Sequence, residues 1–345
     1  MKSRQKLGIL TIFFSLPAWG AAGDHTAKIT RFFGKAQILS QPSDKKAGQP
    51  PHALFEGKYY HVEPARLGSE IQLGSVIQTS DKTMVRLVYP NGDQIMVSPS
   101  SSYKVSLETK DGKDKPISEL IYGKFRAVIS KDGPRSKSEV RTRTMVMGIR
   151  GTDFHVAAFS DQGGSVVSVL RGAVAVTPQV AKSGEQPQTI EVKTGFSASV
   201  PPQNTVPVKV AATDKLDLRA IQDSVNFQKN QPNEAAPDPE TQKTIALLEA
   251  TAVASTKKDI QTGDPDLYKR IEAAEAAGKA IDNLEVLQAV TLEKALVRAP
   301  EPSAEKIEAL EKAGVLKKPA APPRKPSSQE LDELEGGIYD KYFKR

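Results

Sequence analysis

Between residues 28 and 200 the chain is a succession of short runs rich in Val, Ile and Thr, set apart mostly by single glycines. Runs this short cannot bury a helical stripe, and their residue types favour extended backbone. Gly34, Gly74, Gly92, Gly123, Gly148, Gly151, Gly172 and Gly195 punctuate them, and a residue without a side chain lets a strand turn sharply. The strands expected on this basis are 29–33, 36–40, 76–79, 103–107, 124–130, 154–158, 166–170, 173–177, 189–192 and 197–200. Alternation is clearest where Val85, Leu87 and Tyr89 share one face, Pro90-Asn91-Gly92-Asp93 turns the chain, and Ile95 and Val97 continue together. Such a pattern suits a β-sandwich or a β-solenoid, and periodicity does not separate the two. The polar stretches 41–57 and 131–139 read as loops.

The grammar changes after Pro207. Residues 201–240 read as a Pro-rich linker, and 241–316 as an Ala-rich helical region. Helices are expected over 241–254, from Asp264 as cap with Pro265 at the first helical position, over 284–299 and over 304–316. Leu267, Ile271, Ala274, Gly278 and Ile281 recur at spacings of four and three, an apolar stripe that closes on neighbouring helices or on a partner's helix. Residues 317–345 read as a partly disordered Pro/Lys linker with a terminal helix opened by Ser327 and Glu330 in capping-box spacing.

Composition follows this division. Residues 1–210 hold 28 Lys and Arg against 17 Asp and Glu, whereas 211–345 hold 20 against 24, so the net charge of +7 describes neither part. A nucleic-acid partner is therefore not expected. The basic cluster Lys131, Arg135, Lys137, Arg141 and Arg143 reads as a solvated face. There is no cysteine, which removes disulfides, thiolate metal sites and a thiol nucleophile.

Lys2, Arg4 and Lys6 precede an apolar run from Leu7 to Leu16, followed by small residues at 18 and 20–22. This is the form of a signal peptide over 1–22, so export to the periplasm is expected. The run is about half the roughly 20 apolar residues that a spanning helix needs, and no transmembrane helix is expected in the mature chain.

The sharpest local motif is Met147-Gly148-Ile149-Arg150-Gly151-Thr152-Asp153-Phe154. It resembles the hallmark of the FecR domain family, G-[VI]-R-G-T-x-F, with Gly148, Ile149, Arg150, Gly151, Thr152 and Phe154 matching position by position. Gly34-Lys35-Ala36-Gln37-Ile38, Leu73 to Thr79, Leu87 to Ile95 and Leu170-Arg171-Gly172-Ala173-Val174 are similar to further family segments and fall in the family's order. Asp93 stands where the family commonly has Ser. The resemblance spans about 28–200 and implies a FecR-like β-solenoid or sandwich-type domain. It also implies a periplasmic protein-interaction or signal-sensing module, since FecR regulators receive a signal from an outer-membrane receptor and pass it to an anti-sigma segment.

Taken by itself, Arg150 brings five donors to a tight turn. It is expected to satisfy carbonyls at a buried corner or to pair with Asp153, with a ligand clamp as the alternative. No enzyme is expected. His25, His52, His61 and His155 have no metal-ligand spacing, and Ser43/Lys46 and Ser303/Lys306 lack the company a Ser-x-x-Lys nucleophile needs. No phosphate loop is present, and no cofactor or metal is expected. The expected partner is another envelope protein. The alternative is a cell-wall glycan stacked on Tyr59, Tyr60, Tyr103 or Tyr122.

Overall fold

The alternating runs form strands that fold one 18-stranded sheet into two facing layers. The computed structural model describes residues 26–45, 52–110, 113–133, 138–159, 163–179, 186–202, 208–225, 236–278, 281 and 283–313. The expected signal segment 1–22 and the segment 317–345 lie outside the described residues. The chain divides into Met1–Pro300 and Glu301–Arg345.

The first layer runs in the order β5 (Glu70–Ile71), β1 (Ala27–Phe33), β7 (Met84–Val88), β8 (Gln94–Val97), the second half of β10 (Lys113–Val128), β13 (Asp153–Ala158), β14 (Ser165–Arg171), β17 (Phe196–Val200) and β18 (Lys209–Ala212). The second runs β3 (His52–Phe55), β4 (Lys58–Pro64), β2 (Ala36–Ser43), β6 (Val76–Thr79), β9 (Ser102–Lys110), the first half of β10, β11 (Glu139–Arg141), β12 (Met145–Ile149), β15 (Ala173–Pro178) and β16 (Ile190–Lys193). Among the described strands every pairing is antiparallel except β10 with β11. Two facing antiparallel layers make this a sandwich rather than a solenoid.

β10 belongs to both layers and changes from one to the other at Gly123. There φ is +94°, and a Cβ would lie 2.5 Å from the Ser101 Cα. No side chain fits that corner, so the glycine is what allows one strand to serve two layers. Between the layers one cluster joins Ile29, Leu87, Phe125 and Phe154 to Ile38, Ile77, Tyr103 and Val174. Burying each large apolar side chain there contributes about 1.5–3 kcal/mol.

Among the described residues, four helices belong to the first unit: α1 (Lys215–Ser224), α2 (Pro239–Gly263), α3 (Pro265–Ala276) and α4 (Leu284–Arg298). Asp264 caps α3 by accepting from the Leu267 amide, with Pro265 in the first turn, as the sequence indicates. α2 starts at Pro239 because the Asp238 carboxylate accepts the Glu240 and Thr241 amides. In the second unit α5 (Ala304–Lys312) is capped by Ser303.

The helices do more than pack on each other. Ile260, Leu267, Ile271, Ile281 and Leu287 form a helical cluster, but Ala252 and Leu284 pack on Val88, and Leu218, Ile221 and Leu292 on Leu170. α2 lies across the outer face of the first layer, from Thr241 beside Gly68, next to β5, to Gly263 beside Arg171 at the end of β14. Its 25 residues span roughly 37 Å, enough to cross the six inter-strand spacings from β5 to β14 at about 4.8 Å each.

Two stretches differ from the expected loops and linkers. Residues 201–240 contain β18 and α1, and 41–57 contains β3. The β3–β4 hairpin turns on Glu56 (φ 48°) and Gly57 (φ 78°), a two-residue turn with both φ values positive that matches strand twist. The polar residues before it hide a strand only four residues long.

The approach of α2 depends on Gly92. Its φ is +87°, and a Cβ would meet the Ser255 Cβ at 2.9 Å and the Thr251 carbonyl at 3.0 Å. We predict that Gly92→Val lowers the melting temperature and makes α2 the first site of limited proteolysis, with a left-handed backbone penalty of about 1–2 kcal/mol before any clash. An unchanged proteolytic pattern would show that α2 is not held by this turn.

Candidate interaction surface and the buried polar layer

The FecR-like hallmark sits where β12 leaves the second layer and β13 enters the first. Four of its residues serve the fold. Ile149 and Phe154 are buried in the shared core, with the Phe154 ring edge-on to Phe125 at 6.1 Å. The buried Thr152 hydroxyl donates to the Ala173 carbonyl at 3.0 Å. Gly151 has φ +62°, and a Cβ there would come within 2.6 Å of the Lys131 Cβ.

The other two residues are exposed. Gly148 lies within β12 opposite Ala175, and a Cβ there would meet the Ala175 Cβ at 3.7 Å and its carbonyl oxygen at 4.0 Å, both ordinary contacts. Neither backbone conformation nor space demands a glycine at this position. Arg150 projects from the apex of the corner and is exposed, and among the described residues its side chain has no hydrogen bond or ion pair. This corrects the expectation of a buried corner arginine. Ile149 faces the core, so its neighbour Arg150 points away, and Asp153 is engaged elsewhere.

Asp153 belongs to a polar layer buried between the first sheet layer and the helices. Its carboxylate accepts from Arg126 Nε at 2.9 Å and Nη2 at 2.7 Å. Arg86, also fully buried, reaches Glu249 of α2 at 3.2 Å and Glu285 of α4 at 2.8 Å. The Thr30 hydroxyl donates to Glu249 and Arg31 to Glu285. Gln94 donates to Thr256 of α2 and accepts from Gln288 of α4, both at 2.9 Å. Asp93, at the position where the family commonly has Ser, accepts from the Ser130 amide at 2.7 Å. Here a longer side chain reaches across the turn.

These contacts set the titration of the layer. Burial pushes the Glu285 carboxyl up, but Arg86 and Arg31 outweigh it and hold the group below its ordinary value. Asp259 of α2 is raised, chiefly by burial. His155 lies beneath α1, with its Nε2 3.5 Å from the Ser224 hydroxyl. Burial, with Lys124 and Arg126 nearby, lowers its pKa to about 3.

Other sequence candidates fare differently. Tyr60 and Tyr103 are buried, and the Tyr103 hydroxyl bonds to Ser118 Oγ at 2.8 Å. These two cannot stack on a glycan, and the expected platform is reduced to the half-buried Tyr59 and Tyr122. Of the basic cluster, Arg141 is paired with Glu108 and Glu139. Arg135 and Lys137 lie outside the described residues, as does His25. Among the described residues no group of three His, Asp or Glu is placed to hold a metal ion.

The outer face of the second layer is of another kind. Lys104, Glu119, Arg141 and Glu139 are cross-strand neighbours there, with Gly148, Ala173 and Ala175 forming a low patch beside them. The sequence shows the alternation behind this face but not which of the two faces the helices leave open.

Residues 75–175, from the start of β6 into β15, match the family described as FecR protein. They form a FecR domain. The match is narrower than the stretch 28–200 over which the sequence resembles the family; β1 to β5 and β16 to β18 extend the FecR strands within the same two layers.

The chain is also similar to two crystal structures, at 1.65 and 2.50 Å resolution, of a protein from Parabacteroides distasonis described as a "putative anti-sigma factor". Each is 17% identical over 42% of this chain, with a TM-score of 0.34, and the chain spans 64% and 63% of their lengths. No curated protein matches.

Two predictions concern the buried layer. Arg126→Leu leaves Asp153 as an uncompensated buried charge and should cost about 3–5 kcal/mol in urea unfolding. Arg126 Nη1 has no partner among the described residues, so the double variant Arg126→Leu/Asp153→Leu should recover most of that loss; no recovery would mean that the pair is worth more than an apolar replacement. His155 titrates in the unfolded chain near 6.5 but only near 3 when folded. The unfolded state therefore takes up the proton first. The neutral ring's contribution is complete above 6.5 and lost at about 1.4 kcal/mol per pH unit as pH falls below it. Unfolding measured between pH 6.5 and 5, above the carboxylates, should show this slope in the wild type and its absence in His155→Gln.

Proposed function

We propose that the protein is an exported, non-enzymatic interaction module that binds another envelope protein in a signalling role. The FecR match supports a regulatory domain rather than an enzyme. The signal-like residues 1–22 support export to the periplasm, and no described helix is long and apolar enough to cross a membrane.

One observation carries the reading. Of the six hallmark residues, the two that the fold does not require, Gly148 and Arg150, are the two that are exposed. An exposed glycine inside a strand, at a place where a side chain would fit, suits close approach by another backbone. An exposed arginine beside it, without a side-chain partner among the described residues, offers a planar fork of donors to a carboxylate or to carbonyls. α2 and α4 occupy the outer face of the opposite layer, so the second layer and its corner are the FecR surface open to a partner. The FecR family supports interaction with proteins, whereas burial of Tyr60 and Tyr103 weakens the glycan alternative.

The test is capture of envelope proteins by the full-length chain, beside Gly148→Lys and Arg150→Ala. Both variants should keep the wild-type unfolding free energy to within about 0.5 kcal/mol, as surface changes do, and lose the captured partner. Retained capture, or saturable sedimentation with purified cell wall that the variants leave intact, would overturn the reading. Cell fractionation tests the export separately.

A further inference from the structure

A cavity of about 320 Å³ lies where β14, the 194–196 corner, the end of β18 and α1, α3 and α4 meet. Its size is at the lower end of the roughly 300–1,000 Å³ usual for ligand pockets. Leu170, Leu218 and Leu267 form apolar walls. Phe196 joins them with 45% of its surface exposed, although it is among the largest apolar side chains in the fold. Such walls gain little from water and lose packing contacts when nothing fills the space.

The polar end is basic. Lys294, Arg298 and Asp264 line it, two cations to one carboxylate. Asp264 is committed twice over: it caps α3 through the Leu267 amide at 3.2 Å and accepts from Lys294 with both oxygens. Arg298, one turn beyond Lys294 on α4, only approaches Asp266 at 3.9 Å, with both side chains mostly exposed. Its guanidinium is therefore the cation available to a ligand at the mouth of the cavity, and its fork of donors matches a carboxylate or phosphate.

We propose that this cavity binds a single acyl-type chain bearing one anionic group, with the tail among Leu170, Leu218, Leu267 and Phe196 and the anion at Arg298. The site is separate from the hallmark corner and does not rest on the reading of that corner. Two sources share this chemistry, a free fatty carboxylate and an anionic phospholipid that places one of its two acyl chains in the cavity.

The full-length protein is titrated with dodecanoate, with dodecanol as neutral control, and with phosphatidylglycerol vesicles in a separate arm. Saturable one-to-one binding of dodecanoate is expected. Arg298→Glu should weaken it at least tenfold while leaving dodecanol binding unchanged. Ala295→Phe fills the cavity from α4 and should abolish both, with the circular dichroism spectrum retained. Ala212→Leu, which narrows it from β18, does the same should Ala295→Phe fail to fold. Vesicle binding without dodecanoate binding, lost in the filled variants, identifies the phospholipid as the source and supports the site. No saturable binding in either arm, or binding that survives both filled variants, overturns the proposal.

Discussion

The burial of charge on the outer face of the first sheet layer is the constraint on which the rest of the architecture depends. Arg86, Gln94, Arg126, Asp153 and His155 all point outward from a sheet whose inner face already holds the core. Arg126 and Asp153 answer each other within the sheet. Arg86 and Gln94 are matched by Glu249 and Thr256 of α2 and Glu285 and Gln288 of α4. A buried charge without its partner costs more than the pair returns. The helices are thus fixed in register on the sheet by polar matching as much as by Ala252 and Leu284 against Val88.

That commitment divides the molecule's surfaces. One layer is closed by helices whose acidic residues meet basic strands, in keeping with a basic β region and an acidic helical one. The other keeps its outer face, where short-range ion pairs such as Lys104 with Glu119 and Arg141 with Glu108 neutralise charge locally. Partly exposed pairs of this kind contribute little to stability. Their effect is to leave a face of mixed sign, next to which Arg150 is an exposed cation without a side-chain partner among the described residues.

The strands were legible because their inner faces alternate cleanly: Val85, Leu87, Ile95 and Val97 give the pattern and are all buried. The same alternation concealed the helical cover. Arg86 and Gln94 occupy the polar half of the pattern, and a polar residue at that half ordinarily means solvent, so nothing in the strand sequence announced that this face is covered. Helix existence and the cap at Asp264 followed from residue type, but the reach of α2 did not. Its apolar stripe is thin, and its contacts run through Glu249, Thr256 and Asp259, which look like solvent-facing residues in sequence. At the hallmark, spacing located the corner but not the direction of Arg150. That direction depends on which side of β12 the core lies, a tertiary fact.

The hallmark corner and the cavity, though built from different side chains, are joined through the backbone. The Gly151 carbonyl lies 2.8 Å from where a Gly172 Cβ would be, so these two turns are stacked with no room for a side chain between them. The Gly172 carbonyl in turn accepts from the Thr194 amide at 3.1 Å, and the Gly195 amide donates to the Val169 carbonyl at 2.8 Å. Thr194, Gly195 and Val169 line the cavity. Successive corners of the sandwich therefore form a rigid column with Arg150 near one end and the cavity wall at the other. Contiguity of this kind supplies a path but not a switch, because coupling requires an element with two arrangements that both sites bias. Every member of the column is held by a main-chain bond or by a missing side chain. The physical expectation is thus a fixed frame that positions both surfaces independently, with any movement confined to the helices whose polar contacts can be exchanged for water.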